Sequence, residues 1–415
     1  MKVVGLITEY NPFHNGHKFH IDEAKRITGA DYVIVVMSGN FVQRGAPALI
    51  DKYSRTKMAL HCGADLVFEL PVCYSVSSAE FFALGSVSLL DKLGIVDEIC
   101  FGSECGDIKI LTQIAKILIH EPSEYKLILN EQLKKGLTYP TARMETMKTL
   151  YPDIDESILS SPNNILGIEY IKALLHLGSS IKPVTITRKL AGYHDKDLTK
   201  ITGPTISSAT AIRKSLRSSS ELGSLKNHVP DSVYKILKNK YKKTFPINEE
   251  DFSLLLNYKL MQETENSLQK YVDITKDLAN RIESMKTIGS TFSSFSLNIK
   301  SKQWTLTRIN RVFMHILLNI YTDNFDLYNQ SNYTQYARIL GFKKSSSSLL
   351  RLIANKEGIP VITKLADAKN SLSPIGLSML VEDIFAAHLY NQVVFNKYGT
   401  ILKDEYSNGV VIFQE

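Results

Sequence analysis

Thr8-Glu9-Tyr10-Asn11-Pro12-Phe13-His14-Asn15-Gly16-His17 follows an apolar run, Val3-Val4-Gly5-Leu6-Ile7, and precedes a helical pattern that starts near His17. That order predicts a strand, a tight loop and a helix N-terminus at the start of the chain. Backbone N–H groups in the first turn of a helix lack intrahelical acceptors and carry the positive end of the helix dipole, so a phosphate is well received there. Gly16 has no side chain to hold a phosphate away from the backbone. His14 and His17, three apart, fall on nearly the same side of the first turn, where both can donate to one phosphate chain. Surface caps would account for a bare histidine pair about as well. The position after the first strand favours a nucleotide site.

The pattern around this stretch agrees with it. Strands are expected at Val3–Ile7, Tyr32–Met37, Leu66–Leu70, Glu98–Phe101 and Val184–Thr187, with helices between most of them at Lys18–Ile27, Lys52–His61 and Ala79–Lys92. Alternation of this kind means a doubly wound parallel sheet, an α/β fold of Rossmann-like type, with ligands at the carboxyl ends of the strands. The loop from Thr8 to His17 leaves such an end. The chain has 415 residues, 44% of them apolar, enough for a sizeable core and two or three domains. A net charge of +7 is a mild basic excess, compatible with a polyanionic partner without requiring one. Cys62, Cys73, Cys100 and Cys105 lack paired spacing and read as reduced thiols rather than a zinc site. Without a signal-peptide pattern at Met1 or a run of roughly 20 apolar residues, a cytoplasmic location and no membrane partner are expected.

Other strand ends add candidates. The loop Ser38-Gly-Asn-Phe-Val-Gln-Arg44-Gly45 is either a surface turn or a segment that closes over a substrate. Gly102 would let a base or ribose lie against bare backbone. Asp51-Lys52-Tyr53-Ser54-Arg55 reads as an aspartate-capped, solvated helix start. From Asp107 to Leu150 the chain reads as helical. Ser161-Pro162-Asn163-Asn164 then opens a helix, Ile165–Leu177; serine or asparagine suits the cap, and the two asparagines can also face an adenine edge or a ribose. Arg188 ends the last strand of this half at the sheet's ligand edge. Ser207-Ser208-Ala209-Thr210-Ala211-Ile212-Arg213 is a second helix start whose hydroxyls, N–H groups and Arg213 can meet one anion.

Glu9–His17 resembles the His-x-Gly-His signature of the nucleotidyltransferase-type superfamily, and one branch in particular, the bacterial tRNA(Met) cytidine acetate ligase family. Ser161–Glu169, Thr187–Asp195 and Ile206–Arg213 resemble that family in order and spacing over the first half of the chain, with Ala209 inserted among the hydroxyls of the last segment. The resemblance implies an ATP site formed by Ile7-Thr8-Glu9-Tyr10-Asn11-Pro12-Phe13-His14-Asn15-Gly16-His17-Lys18-Phe19-His20 with Gly102, Asn163 and Arg188, to which the second helix start adds Ser208 and Arg213. It also implies acetate attacking the α-phosphate of ATP, release of pyrophosphate, and acetylation of N4 of the wobble cytidine in the anticodon of elongator tRNA(Met). Charge then builds on phosphate oxygens, for which His14 and His17 would be the donors, assisted by Thr8 and the helix dipole. Magnesium (Mg2+) is expected with the nucleotide, without an identifiable protein ligand.

Beyond a polar hinge at Ser215–Ser224, helical patterns dominate: Val233–Lys240, Phe252–Tyr258, Leu268–Ile288 and Arg308–Tyr321, with one terminal strand candidate at Gly409–Phe413. The expected division is a nucleotidyltransferase-like domain, 1–214, and a mainly helical domain, 215–415, that binds tRNA. Three basic stretches stand out: Lys235–Lys243, Lys300 and Lys302 with Trp304 leading to Arg308 and Arg311, and Lys343-Lys344 to Arg351. A solvated helix face explains any one of them; three beside a nucleotide site favour RNA, with Trp304 among its cations as the leading candidate. The other reading is a nucleotidyltransferase for a small phosphorylated metabolite whose helical domain serves oligomerisation. A non-enzymatic RNA-binding protein would have no use for transition-state donors such as His14, His17 and Arg213.

Overall fold

Runs such as Val3–Leu6, Val33–Met37 and Leu66–Leu70 are apolar without alternation, and strands of that kind are covered on both faces. A computed structural model of the chain describes residues 1–188, 207–218, 222–286, 289–356 and 358–414. Its strands are β1 (Val3–Thr8), β2 (Tyr32–Ser38), β3 (Phe41–Val42), β4 (Ala46–Pro47), β5 (Leu66–Leu70), β6 (Glu98–Ser103), β7 (Lys182–Thr187), β8 (Ala337–Lys343), β9 (Val361–Ile362) and β10 (Val411–Phe413). The main sheet runs β10-β8-β5-β2-β1-β6-β7, with β9 on β8; β3 and β4 make a separate hairpin. From β5 to β7 every pair is parallel, in registers such as Val3↔Tyr32, Ile34↔Leu66 and Glu98↔Lys182. The chain moves outward from β1 through β2 to β5 and then crosses back to β6. The switch point therefore lies between β1 and β6, which pair at Val4↔Glu98.

Alternate residues feed two cores. Val3, Ile34, Phe68 and Ile99 face one, which continues into Phe313, Tyr336 and Tyr390 of the second half. Val4, Val33, Val67 and Cys100 face the other, shared with Ile21, Met58 and Leu237. The second half is mainly helical, as expected, and it also supplies β8 and β10 to the sheet edge, β8 antiparallel to β5 at Leu66↔Phe342. The expected terminal strand is β10; β8 and β9 were not legible, because a seven-residue run ending in Lys343 is masked by the serine-rich stretch after it. The Leu268–Ile288 pattern splits into helices Glu265–Leu268 and Lys276–Met285. Residues 189–195, Ile206, 219–221 and 287–288, which fall in segments singled out above, lie outside the described residues. All four cysteines are free, and no described helix is long and apolar enough to cross a membrane.

The helix Lys52–His61 corrects the sequence reading. Asp51 caps it, accepting from Ser54 N–H at 2.8 Å, but Lys52 and Arg55 are 0% exposed rather than solvated. Lys52 Nζ lies 2.7 Å from Glu69 Oε1 and 2.7 Å from Glu405 Oε2, while Arg338 pairs with the same two carboxylates at 3.2 and 2.5 Å. Two cations and two anions thus close a neutral set that ties β5, β8 and the segment before β10 together. Sequence spacing cannot show it, since the pairs Lys52–Glu405 and Arg338–Glu69 that close the set join opposite halves of the chain.

Helix Pro374–Tyr398 buries Glu382, whose Oε1 accepts from Tyr328 OH at 2.9 Å and Asn324 Nδ2 at 3.1 Å while Oε2 has no partner. Burial pushes this carboxyl up to about 7, against the opposing effect of those hydrogen bonds. Below the ordinary glutamate value of 4.5 both folded and unfolded states hold the proton. As pH rises towards about 7 the unfolded chain gives it up first, so stability falls across that window. Glu382→Gln, which cannot ionise, is expected to exceed the parent protein in stability at pH 8 by on the order of 2 kcal/mol. The gain should shrink towards pH 5, as urea denaturation at the two pH values would read.

Candidate active site

The Asn15–Thr28 helix begins two residues earlier than its hydrophobic pattern, because His14 caps it. His14 Nδ1 accepts from Gly16 N–H at 3.1 Å, and His17 Nδ1 accepts from His14 N–H at 3.2 Å, a reciprocal box built from two imidazoles. A ring nitrogen that accepts carries no proton, so each neutral ring must hold its proton on Nε2. The rings stack with centroids 3.7 Å apart and planes at 25°. Withdrawal from water, then the Arg188 and Arg213 cations, push His14 down to about 3. Desolvation and its histidine and arginine neighbours hold His17 well below the usual value, and burial takes His20 to about 4. The pair therefore offers two parallel Nε2–H donors that stay neutral around pH 7.

The loop before them is held from several sides. Tyr10 adopts φ 48°, a left-handed conformation costly for an aromatic residue, and its fully buried ring packs 4.7 Å from Phe13 and edge-on to His17 at 4.9 Å. Arg55 reaches the ends of both central strands: it donates to Glu9 O at 2.7 Å, Ser38 O at 2.9 Å, Ile50 O at 3.0 Å and also to Gly39 O. Asn11 Oδ1 accepts from Leu49 N–H at 2.7 Å, and Asn11 O accepts from Arg213 Nη1 at 2.7 Å. That last bond brings the Ala209–Ser218 helix against the loop. Thr8 Oγ1 and His20 Nε2 are buried and unpartnered.

Across the switch point, Glu104 does the capping expected of Ser161, which makes no side-chain cap bond. Its carboxylate accepts from Asn163 Nδ2 at 2.5 Å and Asn164 N–H at 2.9 Å. Asn164 is committed in return, its Oδ1 accepting from Glu104 N–H at 2.9 Å and Cys105 N–H at 3.1 Å. It has no acceptor left for a nucleotide. Asn163 Oδ1 instead accepts from Arg188 Nη1 at 2.7 Å, so a chain Glu104–Asn163–Arg188 holds the guanidinium, while the methylene stem of Arg188 crosses Gly102, where a Cβ would stand 3.1 Å from its Cγ.

Thr8, His14, His17, Arg188 and Arg213 thus converge at the carboxyl ends of β1, β6 and β7. Other residues of the 7–20 segment serve elsewhere: Glu9 Oε1 accepts from Gln43 N–H at 2.9 Å, Asn15 Nδ2 donates to Asn227 O at 2.9 Å, and Lys18 pairs with Asp22 at 2.6 Å. Ser208 is an exposed cap that accepts from Ala211 N–H at 3.2 Å. Among the described residues no three histidine, cysteine or carboxylate side chains gather to hold a metal ion. Sequence reasoning missed Arg55 and Glu104, whose partners are mostly backbone or distant in the chain.

The basic candidates divide. Lys300 and Lys302 are exposed, Arg308 pairs with Asp273 at 2.9 Å, and Arg311 is half-buried with an unpartnered Nε. Trp304 is buried at 6% exposure, so it packs in the core and cannot stack on a base, contrary to expectation. Lys343, Lys344 and Arg351 lie at the amino end of β5, where Lys343 N–H donates to Asp65 O at 2.9 Å. About 17 Å of strand separates that edge from the histidines.

A family model for the HIGH nucleotidyl transferases matches residues 1–404. A protein of Acetivibrio thermocellus named tRNA(Met) cytidine acetate ligase is 41% identical over 99% of this chain and all of its own length. One of the same name from Clostridium perfringens is 42% identical with both chains fully covered. Among solved structures, Thermotoga maritima TmcAL bound with alpha-thio ATP is similar at a TM-score of 0.92 and 31% identity, with both chains fully covered.

Proposed function

The chain belongs to the HIGH nucleotidyl transferases and, among them, to the tRNA(Met) cytidine acetate ligase family, and from that membership we propose that it joins acetate to ATP and passes the acetyl group to N4 of the wobble cytidine of elongator tRNA(Met). The observation that carries the reading is the pair of neutral Nε2–H donors at a helix N-terminus, with the Arg188 and Arg213 cations near enough to act on both rings. Such a set suits a polyphosphate whose charge grows during reaction. The orphaned Thr8 Oγ1 and His20 Nε2 supply further polar groups in need of a partner.

In the first step a carboxylate oxygen bonds to the α-phosphorus and the bridging oxygen to the β-phosphorus leaves with its electron pair as pyrophosphate. His14 and His17 donate to the phosphate oxygens that gain charge, and Arg188 and Arg213 offset the repulsion between the two anions. Being neutral, the histidines are not committed to a salt bridge before ATP arrives. The carboxylates nearest the site, Glu9 and Glu104, are already hydrogen-bonded, so a magnesium ion would be held by the triphosphate and water. In the second step the cytidine N4 attacks the acetyl carbonyl, AMP leaves, and N4 loses a proton.

Purified protein given ATP, labelled acetate and bacterial tRNA lacking the modification is expected to yield label as N4-acetylcytidine. Pyrophosphate exchange driven only by a different acid, with no label in RNA, would discard the substrate assignment. Gly102→Ala tests the nucleotide cradle. Its Cβ would press on Arg188 at 3.1 Å, so the KM for ATP should rise roughly tenfold with kcat little changed. An unaltered KM would remove Gly102 from the site.

A further inference from the structure

The loop after β2, legible in sequence only as a turn or a closing segment, is a rigid hairpin with one side chain left over. β3 and β4 pair at Phe41↔Pro47 and Val42↔Ala46. Phe41 is fully buried against Phe252 and Tyr390, at centroid distances of 5.6 and 6.3 Å. The tip is fixed at two points. Gln43 N–H donates to Glu9 Oε1 at 2.9 Å, which fastens it to the loop that follows β1. Gly45, at φ 73°, packs so closely on helix Leu306–Leu318 that a Cβ would fall 2.3 Å from Arg311 N. Between these anchors Arg44 is exposed and has no hydrogen bond or ion pair among the described residues.

Its surroundings are cationic. Burial, then the nearby Arg44 and Arg217 cations, disfavour the charge on Arg213, while the anions Glu9 and Glu249 act the other way. Two neighbouring cations are already matched, Arg217 with Glu249 at 2.5 Å and Arg308 with Asp273 at 2.9 Å, while Arg311 beneath Gly45 is half-buried with its Nε unpartnered. A rigid mount that holds one unmatched guanidinium beside another raises the energy of the free protein and is relieved by an anion. Arg213 is turned inward onto Asn11 O and the nucleotide loop; Arg44 faces water. The anion that suits Arg44 therefore comes from solvent and lies just outside the nucleotide.

We propose that the Arg44 hairpin receives the polynucleotide at the mouth of the site, the guanidinium pairing with a backbone phosphate beside the base to be modified; this rests on the RNA substrate proposed above. A planar fork held in place suits a phosphate, and helix Leu306–Leu318 behind it extends the contact towards Lys300 and Lys302. Lys343, Lys344 and Arg351, at the opposite end of the sheet, are excluded from the same strand of contacts close to the reacting base.

The test compares the parent protein with Arg44→Ala and Arg44→Lys in two assays. Acetate-dependent ATP–pyrophosphate exchange without RNA should be unchanged in both variants. The KM for tRNA in acetyl transfer should rise roughly tenfold in Arg44→Ala and less in Arg44→Lys. The slope of log affinity against log salt should fall by about one in Arg44→Ala. Exchange falling as far as acetyl transfer would overturn the proposal by assigning Arg44 to the nucleotide or the acyl acid. An unchanged KM and salt slope would overturn it too, with the substrate assignment intact. Parent protein that exchanges pyrophosphate but acetylates no RNA would remove the substrate itself, a result separable from either.

Discussion

His17→Ala is expected to lower acetate-dependent ATP–pyrophosphate exchange by about 10²–10³-fold while leaving tRNA affinity unchanged. In the reaction proposed above, the ring is one of two buried Nε2–H donors to a phosphate oxygen. Alanine also removes the acceptor for His14 N–H, 3.2 Å away, and so weakens the helix cap by about 1 kcal/mol. His17→Gln separates the two effects. Its amide oxygen can accept from the cap while its donor falls short of the imidazole's position, so stability should return and exchange should not. Full exchange in His17→Gln would mean that the histidine serves the helix and not the phosphate. The pH profile adds a second check. Desolvation and the adjacent arginines disfavour imidazolium, so His14 protonates only near 3 and His17 lies well below its usual value. Free-enzyme kcat/KM for ATP should therefore show no histidine limb between about pH 5.5 and 8. A limb near the ordinary value of 6.5 that vanishes in His17→Gln would contradict the neutral assignment.

Arg55→Met is expected to cost on the order of 4 kcal/mol of stability, because four carbonyl oxygens lose a charged donor in a place water does not reach. Three of them belong to Glu9, Ser38 and Gly39, at the carboxyl ends of β1 and β2, so the loss is also a loss of site geometry. Arg55→Lys keeps the charge, but its three hydrogens cannot reproduce the planar fork or reach all four oxygens. It should fall between the two. Chemical denaturation gives the stabilities, and ATP protection against unfolding reads the site in each variant. A methionine variant as stable as the parent would show that the carbonyls find other donors.

Much of the sheet was legible because its signal is local. Val3–Ile7, Tyr32–Met37 and Leu66–Leu70 are short apolar runs between helical periods, and each became a strand at nearly the expected bounds. Likewise the helix start at His14–His17 announces itself through a glycine, two imidazoles and the strand before it. What failed were inferences about environment. Lys52 and Arg55 look solvated in a stretch that also carries Tyr53 and Ser54, yet both are buried. Trp304, amid lysines and arginines, looks available for stacking and is a core residue. Asn163 and Asn164, equivalent in sequence, part company: one aims Arg188, the other is consumed by the backbone at Glu104 and Cys105.

By itself, then, the sequence determined the parallel sheet, its ligand edge at the carboxyl ends of the strands, and the histidine pair at the helix start, since hydrophobic period and N-terminal capping act over a few residues. Tertiary structure alone decided which ring nitrogen of each histidine keeps its proton, that Arg188 and Arg213 both come near enough to act on them, and that β8 and β10 close the sheet edge through Glu69, Arg338 and Glu405. Those outcomes depend on groups brought together from far along the chain, where burial sets charge state and hydrogen-bond partners, and no local pattern encodes a neighbour that only folding supplies.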